Sequence, residues 1–152
     1  MSRYYEDLAV GDTYECGSQT VTKPEIVDFA EQFDPQPFHT DEAAAAESMF
    51  GRLVASGLHT LCLSTRLAVT NFYRGEPPLA NEGGLGRDAL RWHEPVYPGD
   101  TLGLELEVVG REPSDGRADR GYVDFRRSLS TPEAEVLSVV THVIVRRSGA
   151  GE

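Results

Sequence analysis

The sequence predicts an α+β domain, an antiparallel sheet of about five strands wrapped around one long helix. Three observations predict it. Residues 57–73, "GLHTLCLSTRLAVTNFY", are apolar on most sides, the mark of a helix meant for burial. Three later segments alternate apolar and polar residues, as half-buried strands do. Short polar turns separate those segments, which makes them consecutive antiparallel neighbours.

The elements follow in order. Residues 13–21, "TYECGSQTV", form a short first strand. Thr22 with Glu25 is a capping box, and Pro24 fits a first helical turn. Ile26, Phe29, Ala30 and Phe33 then recur at helical spacing, and Pro35 ends that helix. "TDEAAAAES" is a short second helix capped by Thr40 or Asp41. "FGRLVASG" is a loop leading into the long helix. "RGEPPLANEGG" is the least structured link, and a strand ending at Pro95 follows it. In 101–109, Leu102, Leu104, Leu106 and Val108 point inward. "REPSDGRADR" is a hairpin loop. Val123, Phe125 and Leu129 face inward from the next strand, and Leu137, Val139, Val143 and Val145 from the last. A buried helix with a sheet curled around it is the hot-dog architecture.

The length of 152 residues suits one domain, 1–152, with its core at about 5–146 and a tail, 147–152, expected to be disordered. No run of eighteen apolar residues offers a membrane span. The N-terminus lacks an apolar leader core and reads as a cytoplasmic protein. Cys16 and Cys62 lie far apart, and Cys62 is expected to be a buried free thiol. No Cys/His spacing matches a metal site. The formal charge of −11 argues against nucleic acid as a partner. Lys23 is the only lysine, and an acidic, lysine-poor surface suits high salt, so a halophilic source is one expectation and an ordinary acidic protein the other.

The candidate chemistry centres on "FDPQPFHTD". Asp34 and His39 flank two prolines that limit the freedom of the turn. A carboxylate beside an imidazole can hold a water and shuttle its protons. Equally, Asp34 can simply brace the turn and His39 shield the next helix. Gly57 opens the long helix, whose first amides lack intrahelical partners and carry the positive end of the dipole. A preformed N–H there can stabilise a developing oxyanion, and glycine allows close approach; tight packing is the plainer reason for a glycine. Thr65 lies two turns on and can orient Asp34 or bond its own backbone. His59 lines the site or packs. His93 and His142 read as surface or structural.

Together, "DPQPFH", "FGRLVASGLHTLCL" and "WHEPVYPGDTLGLELEV" resemble, in order and over about 5–146, the MaoC-like dehydratase and (R)-specific enoyl-CoA hydratase family. The first resembles its D-x-N-P-x-H motif. The resemblance implies a hydro-lyase adding water to a 2-enoyl-CoA, or removing it from an (R)-3-hydroxyacyl-CoA. Asp34 and His39 are then the acid–base pair, the Gly57 amide the oxyanion hole, and Thr65 the supporting hydroxyl. Gln36, Phe38, Ser56, His59, Arg87 and Arg91 fall in the substrate-binding set, with Arg66 a further candidate for the CoA phosphates. The thioester is substrate, and neither cofactor nor metal is implied. Three positions depart from relatives: Gln36 for asparagine, Ser56 for a frequent histidine, and Thr65 for serine. The family also implies a homodimer or higher homo-oligomer, and an open sheet edge needs covering in any case. Two alternatives share the fold: a hot-dog thioesterase, which usually carries an acid on the central helix, and a non-catalytic acyl-thioester binder. "GLHTLCLSTRLAV" has no Asp or Glu.

Overall fold

The computed structural model describes residues 1–149. Five strands, β1 (Thr13–Thr20), β2 (Asn81–Trp92), β3 (Thr101–Pro113), β4 (Arg120–Ser130) and β5 (Glu135–Arg146), form one sheet. Its order is β1-β3-β4-β5-β2, and every neighbouring pair is antiparallel. The predicted inward faces of β3, β4 and β5 are all buried: Leu104, Phe125 and Val139 are at most 1% exposed. The described residues also form a 3-10 turn, Tyr5–Asp7, and four α-helices: α1 (Lys23–Phe33), α2 (Pro37–Thr40), α3 (Glu42–Ala46) and α4 (Gly57–Ala68). One wider helical turn, Val69–Tyr73, extends α4.

Helix α1 begins as its sequence requires. The Thr22 hydroxyl accepts from Glu25 N, and the Glu25 carboxylate accepts from Thr22 N, satisfying two otherwise unpaired amides. Asp41 caps α3, accepting from Ala43 N and Ala44 N. Helix α4 packs across β1 and β3 with Leu63, Leu67 and Ala68 turned to the core. This is the hot-dog arrangement.

Several local features differ from the sequence reading or add to it. The Asp34–His39 segment is not wholly irregular: Pro37 starts the single helical turn α2, where its missing N–H costs nothing. Strand β2 stops at Trp92 rather than Pro95. Strands β3 and β4 extend further than their alternation, leaving only 114–119 as the turn. Cys62 is exposed, whereas Cys16 is buried, and both are free. Cys62 shares with Leu58 the side of α4 that the sheet does not cover. Arg127, at an inward position of β4, is only 2% exposed. Of the tail, Arg147 Nε and Ser148 N both donate to Glu6; residues 150–152 lie outside the described residues.

Strand β2 is exposed along almost all its length, with Leu85 62% and Trp92 48% exposed. It is an edge of the sheet, as is β1. Among the described residues, no helix is long and apolar enough to cross a membrane.

Candidate active site

The end of α1 and the start of α4 face each other across one cavity. Asp34 closes α1, its amide donating to Ala30 O at 2.8 Å. Pro35 then forbids another helical residue. Pro37 starts α2, and that turn places His39 in the interior, 5% exposed. A reciprocal pair of bonds fixes it to the loop before α4: Val54 N donates to Phe38 O at 3.2 Å, and His39 Nδ1 to Val54 O at 2.6 Å.

That last bond determines the tautomer. A carbonyl only accepts, so Nδ1 carries the proton and the neutral ring presents its lone pair at Nε2. Nε2 lies 3.4 Å from Asp34 Oδ2. Asp34 accepts from Ser56 Oγ at 2.7 Å on Oδ2 and from Gln36 Nε2 at 2.7 Å on Oδ1. The Ser56 hydroxyl chiefly, with Gln36, holds this carboxyl below its usual range, against the opposing effect of burial. Asp34 is therefore an anion at neutral pH. The two atoms are in direct contact range, and a water beside them can reach both.

Ser56 has a second role. It is the N-cap of α4, its Oγ also accepting from Leu58 N at 3.2 Å. The Gly57 N–H opens the helix and has no acceptor among the described residues. Trp92 Nε1 donates to Gly57 O at 2.9 Å. A Cβ at Gly57 would come within 2.5 Å of the Trp92 ring, so packing alone demands glycine there.

Asp34, Gln36, Phe38, His39 and Gly57 line a cavity of about 520 Å³ with Met49, Phe50, Leu58, Trp92 and Val96. Its walls are largely apolar and its polar groups few, as in small-molecule sites generally. His93 and Glu94 also border it. His93 was expected to be merely structural; it does bond Ser138 Oγ at 2.8 Å, but it also reaches the cavity rim.

Five expected residues stand elsewhere. Thr65 Oγ1 takes bonds from Arg127 Nη1 at 2.8 Å and Arg87 Nη2 at 3.2 Å, not from the acid–base pair. Eight residues turn a helix by roughly 80° beyond two full turns, which carries Thr65 off the face Gly57 presents. His59 is buried and stacked on Phe29, centroids 4.7 Å apart, and it packs rather than lining the cavity. Burial, opposed by Glu25, pushes its pKa down. Arg87 lines a different cavity, and exposed Arg91 donates to Leu90 O. Arg66 is exposed, and no arginine lines the first cavity.

Trp92, Met49 and Phe50 were not anticipated. Only the sequence "RWHEP", an aromatic at the close of a strand, hinted at Trp92. The role of Ser56 as positioner of Asp34 had a signal, since serine directly before a helix-opening glycine is a favoured cap.

Comparison with known proteins agrees with this arrangement. The family model "MaoC like domain" matches residues 7–124. The chain belongs to the MaoC-like dehydratase domain family. It is 32% identical over 143 residues to the uncharacterized protein YdeM of Bacillus subtilis, covering 93% of this chain and 98% of that one. Among solved structures it is similar to the MaoC-like dehydratase from Rhodospirillum rubrum. There the identity is 38% and the TM-score 0.83, over 95% of this chain and 97% of that one. It is similar also to the R-hydratase PhaJ1 from Pseudomonas aeruginosa, at 25% identity and TM-score 0.74, over 97% and 88% of the two chains.

Proposed function

We propose that this protein is a hydro-lyase for a 2-enoyl thioester, with coenzyme A as the carrier. One observation carries the reading: a carboxylate and an imidazole, 3.4 Å apart, share one cavity with a helix-opening amide that has no acceptor among the described residues. Water seated beside Asp34 Oδ2 and His39 Nε2, in the cavity, loses one proton to the pair as its oxygen bonds to C3 of the enoyl group. The C2–C3 double bond gives its electrons to C2 and the thioester oxygen. The Gly57 N–H, at the positive end of α4, binds that oxygen while it carries charge. The pair returns a proton to C2, so the sum is one water added across one double bond. Dehydration is the reverse. Ser56 and Gln36 keep Asp34 ionised and oriented, and Phe38, Phe50 and Trp92 exclude bulk water.

A thioesterase aims water at the carbonyl carbon, usually from an acid on the central helix, and α4 has none. A homodimer is part of the same proposal: β2 is a long open edge bearing exposed Leu85 and Trp92, and a second copy is a natural cover.

The test is hydration of crotonyl-CoA, followed by loss of enoyl-thioester absorbance. Asp34→Asn and His39→Ala should each lower kcat by about 10²-fold or more, as loss of an acid–base group does. Either variant folded and near wild-type activity overturns the mechanism.

A further inference from the structure

A second cavity, of about 240 Å³, lies between the later half of α4 and the inner face of the sheet near β2. Arg127, Arg87, Thr65, Tyr73 and Asn81 are among its walls, and no Asp or Glu is. In a chain of net charge −11, an acid-free cavity with two arginines is a marked local reversal.

Arg127 is the unusual member. It is 2% exposed, and no carboxylate lies within ion-pair distance of it among the described residues. Its hydrogen bonds go to hydroxyl groups: Nη1 donates to Ser64 Oγ at 3.2 Å and to Thr65 Oγ1 at 2.8 Å, and the Tyr73 side chain is a further partner. Its buried Nε has no partner. An uncompensated buried cation costs several kcal/mol, so buried guanidinium groups ordinarily carry an acid. Here a hydroxyl joins it to a second cation instead, because the same Thr65 oxygen also accepts from Arg87 Nη2 at 3.2 Å. Two guanidinium groups meeting at one neutral oxygen, at a cavity with room for about eight waters, lack the negative charge that would balance them.

We propose that this cavity binds a small oxyanion, a carboxylate or phosphate group, between Arg127 and Arg87. Guanidinium forks match both geometrically and take them in paired charge-assisted bonds. Thr65 holds the two forks at a common point, and Tyr73 and Asn81 offer further polar groups at the wall. None of these residues lines the acid–base cavity, so this is a site separate from it. The proposal does not depend on the hydratase reading.

The experiment measures binding without turnover. Acetate, malonate and inorganic phosphate, as potassium salts, are titrated into the full chain by calorimetry and thermal melting. KCl at matched ionic strength removes the general effect of salt on an acidic protein. A saturable response beyond KCl is expected. Response to acetate and malonate alone assigns a carboxylate ligand, and response to phosphate alone a phosphate; both support the site. Arg127→Gln should weaken the apparent affinity about tenfold or more. Because a change in the core can unfold the chain, the exposed Arg87→Ala and the near-isosteric Thr65→Val are measured alongside, and each should weaken it severalfold. No response beyond matched KCl overturns the proposal. So does a response that Arg87→Ala and Thr65→Val both leave unchanged.

Discussion

Removing the Ser56 hydroxyl should disturb stability and acidity together, because one oxygen serves both α4 and Asp34. In Ser56→Ala the helix loses its cap, worth about 1 kcal/mol. Asp34 loses a hydrogen bond at 2.7 Å to a charged acceptor. Such bonds contribute roughly 1.5–3 kcal/mol, and the value here falls toward about 1 because the Asp34 side chain is partly open to solvent. The total is about 2 kcal/mol, a fall in melting temperature of roughly 4–8 °C for a chain of this size. The acidity changes in a definite direction. Asp34 is held below its ordinary range chiefly by Ser56, so its ionised form stabilises the fold above the usual carboxylate value. That contribution is lost as pH falls through the depressed native value. Without Ser56 the native value rises, and the acidic limb of the pH–rate profile should move to higher pH. Ser56→Gly separates the two effects, since glycine caps a helix at a cost of only a few tenths of a kcal/mol. It should keep the shifted limb while recovering about 1 kcal/mol in urea unfolding relative to alanine. A glycine variant with the wild-type limb would refute the coupling between cap and carboxylate.

Gly57→Ala should cost about 1–3 kcal/mol by overpacking against Trp92, and Trp92→Leu in the same chain should restore most of it; urea midpoints decide. His142 sits between Asp124 Oδ1 and Asp88 Oδ2, each at 2.6 Å, and these two carboxylates raise its pKa above the ordinary 6.5. Its stabilising effect is full below that ordinary value and is lost as pH rises through the raised one. Asp88→Asn should therefore destabilise the protein more at about pH 6 than at about pH 9, and equal loss at both would refute it. If the acidic surface reflects adaptation to high salt, molar KCl should raise the melting temperature well above that in dilute buffer. No gain would count against that origin.

The parts of the fold legible in the sequence are those where one face is wet and the other dry. Leu102 through Val108 alternate because β3 has a buried and an open side, and the Thr22–Glu25 box is a local pattern that needs no tertiary knowledge. The Asp34–His39 motif was legible too, for its prolines fix a turn within a few residues. Arg127 was not, because period-2 reading assigns an arginine no place in a core, and its hydroxyl partners Thr65 and Ser64 come from a helix far away in sequence. Cys62 misled for the opposite reason. An apolar residue on an apolar helix says nothing about which flank the sheet leaves bare. Thr65 was assigned by type and count along the chain, whereas the nearer hydroxyl, Ser56, meets Asp34 through a loop whose path no periodicity encodes.

The tether between Trp92 and the first turn of α4 has a mechanical consequence. Helix termini are ordinarily the loosest parts of a protein, opening many times for each global unfolding. This one is pinned from two unrelated quarters, by a serine tied to the end of α1 and by an indole at the tip of an edge strand. Any slackening there must break a bond to one of them, so the first turn of α4 is anchored to two distant regions of the molecule.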